Sequence, residues 1–376
     1  MADGLFAYTF WPELQARICV EHGLYQSVFA CLPFPYRTRN VMSTAPRFNA
    51  RPNAWLASLL AIALIAGCGG GGGGNDSNNG ATSAAISGDG ASNTTSPPLN
   101  VLAEAGAPQA TGDMATDGFN WFNFRRQQMG LAPMTRNAQI DTAALNHSNY
   151  QALNNTITHD EFAGRRGFTG ASVLDRLIAA QYSVPASNYA YGEVISSTPD
   201  TNGINAAEDL IAAIYHRFVV FEPRFLEVGA ASATGGSGYT YFTTNFATRT
   251  LNRGGLGEGK LVVYPFSNQQ NLPTVFYSDQ EQPDPVPDRN EVGYPVSVHA
   301  DITSTVAVQS FTISPRGGAP LATRLLRKET DVEIGEQSVA AIVPLAVLQP
   351  RTAYDVRFVG AVDDVPVNLS WSFTTR

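Results

Sequence analysis

The chain has 376 residues, with 24 Lys and Arg against 32 Asp and Glu and a formal net charge of −8. Such a surface repels nucleic acid and anionic lipid at long range, and no basic run offsets it, so nucleic-acid binding is not expected. The only cysteines are Cys19, Cys31 and Cys68, too few and too early for a disulfide framework in the rest of the chain, which is long enough for two ordinary domains and a linker.

From the N-terminus, the first informative stretch runs from Trp55 to Cys68. Arg47 and Arg51 precede a short apolar run that ends in Ala66, Gly67 and Cys68. A basic region, an apolar core and small residues make a secretory signal peptide. A spanning helix needs roughly 20 apolar residues, more than this run supplies. Gly69 to Gly74 follow at once, and no helix survives them. Ile65-Ala66-Gly67-Cys68 resembles the bacterial lipobox. That resemblance implies cleavage before Cys68, lipid on its thiol and acylation of the new N-terminus, which together give stable attachment to a membrane. Gly69 in place of Asp resembles cargo sent to the outer membrane. Met42 opens a better signal peptide than Met1, so residues 42–67 are read as the signal and residues 1–41 as an extension. Residues 68–114 hold Cys68 and a Gly, Ser and Asn-rich stretch that cannot offset its ordering entropy. It is read as a flexible tether spanning about 35 Å root-mean-square.

Residues 115–252 carry both helical and strand signals. Phe119 to Met129 reads as a helix stopped by Gly130. Asn137 is placed to cap a second helix, with Ile140, Ala144, Leu145, Ala152 and Leu153 near one face. Ser172 would cap a third, from Val173 to Ala180, and residues 205–219 make a fourth. Tyr189 to Ile195, Phe225 to Ala231 and Tyr239 to Phe246 are strand-like. Helices first and strands mostly after point to α+β.

Residues 253–376 differ: short β-rich runs alternate with turns at a spacing that suits an all-β sandwich. They are Leu261 to Tyr264, Tyr294 to Ala300, Val306 to Ile313, Val339 to Val343, Thr352 to Val359 and Val367 to Thr375. Pro283, Pro285 and Pro287 mark an extended loop. On the last strand Leu369, Trp371 and Phe373 share one face, and Tyr354 and Val356 share one on the strand before. Leu348-Gln-Pro350-Arg-Thr352-Ala-Tyr354, followed by Trp371-Ser-Phe373-Thr-Thr375, resembles the end of bacterial Ig-like modules. This implies a spacer or adhesion-type domain with no chemistry of its own; His299 is expected to project from one of its strands.

Motifs between Phe119 and Ala247 resemble, in order, a CAP domain, the fold of the cysteine-rich secretory and pathogenesis-related proteins. Arg126, Gly130, Leu131 and Pro133 match the opening motif, and Ala143 to Ser148 the second helix. Thr158-His159-Asp160 matches the first histidine motif. Leu174-Asp175-Arg176-Leu177 with Tyr182, and then Gly192-Glu193-Val194, follow. Tyr215-His216-Arg217 matches the second histidine motif and Glu227-Val228-Gly229 a strand. The resemblance implies an α-β-α sandwich with two histidines and two glutamates facing one cleft. Carried over by motif these are His159, Glu193 and His216. The fourth position falls near Ala213, with Glu208 and Asp209 about one turn away, and Val194 stands where Asn is usual.

Three readings of this group stay open. The histidines could pair with Glu193 and shape the cleft without catalysis, since charge-assisted bonds are strong. His159 and His216, with Glu193, could hold a zinc ion with an open position. The same three could act as catalytic acid and base in a metal-assisted hydrolase. No nucleophile motif accompanies them. His147 reads as surface or core filler. The expected protein is a lipid-anchored envelope protein whose CAP domain binds a lipid, glycan or peptide. A hydrolase and an adhesive surface protein are the alternatives.

Overall fold

The computed structural model describes residues 104–376 and the backbone of Phe6–Ala7. The expectations for the signal peptide, Cys68 and residues 69–103 lie outside the described residues. Residues 104–376 belong to one compact unit. Among the described residues no helix is long and apolar enough to cross a membrane.

The first part is mixed helix and sheet. Helix α1, Met114–Gln128, starts five residues earlier than its apolar run suggests, because Asp113 caps it by accepting from the Thr116 N–H at 2.8 Å. Residues 104–113, which composition assigns to the tether, are tied to this helix. Glu104 pairs with Arg125 at 2.6 Å, and Asp117 accepts from Thr111 and Gly112. Helix α2, Ala138–Asn154, has Asn137 as its N-cap and left-handed Asn155 as its C-cap. Helix α3, Val173–Ala179, opens with a reciprocal Ser172–Asp175 capping box.

The predicted fourth helix is two. Helix α4, Gly203–Ala212, and helix α5, Ile214–Val220, are separated by Ala213, whose backbone is extended. Arg217 explains why the break is stable. Its guanidinium folds back to donate to the Ile211 carbonyl at 2.6 Å and the Ala212 carbonyl at 3.2 Å, acceptors that a continuous helix would have used itself.

The principal sheet has the order β2 (Thr135–Arg136), β4 (Glu227–Thr234), β5 (Thr240–Thr248), β3 (Ala190–Thr198), β1 (Phe6–Ala7) and β9 (Glu281–Gln282). Strand β5 is buried along its whole length because helices cover both faces. The two-residue period of a strand divides its side chains. Phe242 stacks on Phe122 of α1 and Phe246 meets it edge-on, while Thr243 accepts from Ser148 and Gln151 of α2. Gly229 lies where β4 crosses the start of α2, and a Cβ there would stand 2.2 Å from the Asp141 nitrogen. Gly229→Ala is expected to cost about 3 kcal/mol through overpacking against backbone. Chemical denaturation would show this as a lower midpoint with unchanged slope.

The C-terminal part is all β. One four-stranded sheet has the order β13 (Thr323–Arg327), β14 (Val339–Pro344), β11 (Val296–His299), β6 (Val262–Tyr264). The other has the order β12 (Val306–Pro315), β15 (Ala353–Val362), β16 (Val365–Thr375), β7 (Gln269–Leu272). A short antiparallel ribbon pairs β8 (Phe276–Tyr277) with β10 (Glu291–Val292) around the proline-rich loop. Tyr354, Val356, Trp371 and Phe373 are buried as the alternation requires, with Phe311 packed against Trp371. Leu369 departs from the expectation: it is 37 % exposed, beyond the end of the apolar face. The core of this part is continuous with that of the first, joining Phe218 of α5 and Phe221 just after it to Tyr264, Val298 and Val339. His299 is fully buried between the Phe218 and Phe221 rings and bonds Ser297 at 2.9 Å. Burial above all, with Arg217 and Arg126 nearby, depresses its pKa well below the usual histidine value.

Candidate functional site

The residues predicted from sequence fall into two buried groups. The first gathers side chains from α2, the loop after it, α3 and β3. Glu193 of β3 is at its centre. Its Oε1 accepts from His159 Nδ1 at 2.9 Å, and its two oxygens receive Arg176 NH2 at 2.9 and 2.8 Å. Arg176 also donates to the His159 carbonyl at 2.8 Å, fixing the loop that carries the imidazole. Burial opposes the charge on Glu193, but Arg176 foremost, with His147 and His159, holds its pKa down at about 2.

His147 is neither surface nor filler. It is fully buried, with Nε2 donating to the Thr158 carbonyl at 2.7 Å and Nδ1 2.9 Å from Glu161 Oε1. Glu161 is the second carboxylate of this group. It also accepts from the Thr169 N–H at 2.6 Å and the Gly170 N–H at 3.3 Å. Its burial is outweighed by the His147 bond, these backbone donors and Arg176, and its pKa is lowered. The group is therefore a network of two imidazoles, two carboxylates and one guanidinium, each turned toward another member.

The second group is centred on His216 of α5. Its Nδ1 donates to Glu281 Oε1 at 3.0 Å. Glu281 comes from β9, outside the stretch that carries the family motifs. The same carboxylate accepts from the backbone N–H of Ile214 at 2.7 Å, Tyr215 at 2.7 Å and His216 at 3.2 Å. Both side chains are fully buried. Glu281 thus caps the helix that Ala213 begins, where Ala213 itself offers no side-chain cap.

Glu208 and Asp209, the acids nearest the missing fourth position, are engaged elsewhere or apart. Glu208 accepts from Arg125 Nε at 3.0 Å and from the Trp121 indole. Asp209 is raised to a pKa of about 7 by burial first and then by Glu208 and Asp200. The carboxylate that meets His216 is Glu281, from the C-terminal part. No local pattern announces Glu281, since it lies 65 residues from His216 in sequence. Arg176 was visible within its quoted motif, and Glu161 two residues after His159.

A zinc site does not fit these residues. Nδ1 of His159 and Nδ1 of His216 each face a different carboxylate, and Glu193 is occupied on both oxygens by Arg176. Among the described residues no group of three or more His, Cys, Asp and Glu side chains is arranged to hold a metal ion.

Comparison with known proteins places residues 119–246 in the CAP, or cysteine-rich secretory protein, family model. Two solved structures share weak similarity. An extracellular protein containing a SCP domain from Bacillus anthracis is 21 % identical, with a TM-score of 0.29 over 35 % of this chain and 39 % of that one. An outer surface protein from Borrelia burgdorferi is 15 % identical, with a TM-score of 0.32 over 38 % of this chain and 97 % of that one. The chain thus spans well under half of the Bacillus protein that it matches. No curated protein matches it.

Proposed function

We propose that this chain is a lipid-anchored protein of the cell envelope, held at the outer membrane through Cys68, whose CAP domain captures a lipid, glycan or peptide and does not turn it over. The C-terminal all-β part, which resembles an Ig-like module, supports that domain. The observation favouring binding over catalysis is the mutual pairing of the site's charged groups. A general base must be within reach of the proton that it abstracts. Glu193, with a pKa held at about 2 and both oxygens on Arg176, is a poor proton acceptor at neutral pH.

Two measurements on the full chain test the reading. Cells given radiolabelled palmitate should label the wild type and not Cys68→Ala. Purified protein should release no more product from casein or peptidoglycan than Glu193→Gln releases. Faster turnover by the wild type would replace the binding reading with the hydrolase; equal labelling of both chains would remove the anchor.

A further inference from the structure

The large apolar side chains that residues 104–252 expose are confined to one stretch of the fold. They are Leu145 at 44 %, Leu153 at 46 %, Phe162 at 60 %, Phe168 at 39 % and Ile178 at 55 %. Leu145 and Leu153 lie on α2, Ile178 on α3, and the two phenylalanines on the loop between them. Arg165 and Arg166, also exposed, stand between the phenylalanines. Neither arginine has an ion-pair partner among the described residues, and the Arg165 guanidinium lies 5.7 Å from the Phe162 ring.

The loop is built to hold this arrangement. Its ends meet where the Glu161 N–H donates to the Ala171 carbonyl at 3.0 Å, which closes a compact Ω-type loop. The Glu161 carboxylate ties the base through Thr169 and Gly170, and Tyr150 accepts the Phe162 N–H at 3.0 Å. Asn154 holds the Arg166 carbonyl at 2.8 Å. Gly167, at a φ of +77°, rests on α2, where a Cβ would meet Leu153 at 3.1 Å. The ordering entropy of the loop is therefore met by the fold, and its apolar and basic side chains are presented in advance of any contact. Of the acids close in sequence, Glu161 is buried, Asp160 is half-buried, and Asp175 is exposed at the capping box with Ser172.

We infer that the loop from Glu161 to Ala171 is a membrane-contact element, in which Phe162 and Phe168 enter the interface of an anionic bilayer and Arg165 and Arg166 pair with its headgroups. Aromatic and aliphatic side chains beside paired cations are the chemistry of interfacial attachment. Phe162 stands out from the surface, which suits entry into a fluid phase better than seating against a shaped partner. The overall charge of −8 does not forbid it, because screening confines electrostatics to about 8 Å at physiological ionic strength. The inference draws on the envelope reading above only for bringing the loop near a membrane, where a tether raises its effective concentration.

The test is tryptic cleavage of the full chain at Arg165 and Arg166, with exposed Arg253 as the internal reference. Cleavage is followed on phosphatidylglycerol vesicles, on phosphatidylcholine vesicles and with soluble dextran sulfate. Cleavage at Arg165 and Arg166 relative to Arg253 should slow by about tenfold on the anionic vesicles alone. Phe162→Ser/Phe168→Ser, at exposed positions that leave the core intact, should restore it. Equal cleavage in all conditions overturns the inference, and so does protection by dextran sulfate without protection by vesicles, which would assign the arginines to an anionic glycan. Sedimentation of the same samples separates the two readings. A chain that pellets with both vesicles yet is cut equally retains the anchor and loses the loop. One protected on anionic vesicles but left in the supernatant with phosphatidylcholine retains the loop and loses the anchor.

Discussion

Glu281→Ala should lower the thermal midpoint by about 10 °C. The substitution deletes a partner of His216 and the acceptor for three backbone N–H groups in one step. Breaking a buried charged pair by removing one side costs about 3–5 kcal/mol, because the remaining polar groups stay desolvated. In a unit of this size each kcal/mol moves the midpoint by about 2–4 °C. Glu281→Gln keeps the oxygen that serves Tyr215 and His216 but turns an NH2 toward the Ile214 N–H, so it loses the charge and one acceptor and should fall short of the Ala variant's effect only in part. Near-ultraviolet circular dichroism would give the midpoints. Amide exchange at Ile214, Tyr215 and His216 should accelerate in the Ala variant well before the rest of the fold opens. An unchanged midpoint would mean that α5 holds without its cap and that the two parts of the chain dock through apolar contact alone.

A second large effect concerns pH. Glu222, two residues past α5, and Glu336, from the C-terminal part, line one small cavity with Ser338. Burial first, and then Asp301, raises Glu222 to a pKa of about 8, against the opposing pull of the Arg224 and Ile302 N–H donors and Arg126. Burial and then Glu222 push Glu336 well above the carboxylate range, and among the described residues no other residue hydrogen-bonds either Glu336 oxygen. Between the unfolded carboxylate value near 4.5 and about 8, the folded chain binds more protons at Glu222 than the unfolded chain does. Stability must therefore fall as pH rises through that window. The loss from Glu222 alone is at most about 5 kcal/mol, at about 1.4 kcal/mol per unit. Glu193 acts with the opposite sign: its lowered pKa gives stability that is present above 4.5 and lost as pH falls toward about 2. Denaturation at pH 5 and pH 8 should show the wild type weaker at the higher value. Glu222→Gln, which keeps the oxygen that accepts from Arg224 and Ile302, should shrink the difference and leave the share of Glu336 and of Asp209, which burial raises to about 7. An equal slope in the variant would locate the pH dependence elsewhere.

Much of the first part was legible because its signals are local. Asn137, Ser172 and their acceptor geometry sit next to the helices they start. Aromatic and β-branched residues mark β5 as a strand, and ordered motifs carried His159, Glu193 and His216 together with Arg176. The division of residues 205–219 was not legible. Apolar periodicity continues through Ala213, and the break depends on Arg217 and Glu281 supplying bonds from outside the helix backbone. The role of His147 is hidden for a related reason. A lone histidine on an otherwise ordinary helix shows no sign of Glu161, which reaches it only once the following loop has folded back.

The sequence by itself determined the kinds of element, the α+β and all-β halves and the imidazole and carboxylate types available to the site, while Leu145, Leu153 and Leu369, read as parts of apolar faces, are exposed. These follow from residue spacing, because periods of 2 and 3.6 place side chains on faces without reference to the rest of the chain. Only the tertiary structure decided which carboxylate meets which histidine. Glu193 went to His159 and Arg176, and Glu281 crossed from the C-terminal part to His216. Such pairings are set by desolvation: a buried charge must find a partner wherever the packed chain brings one, and sequence distance plays no part in that requirement.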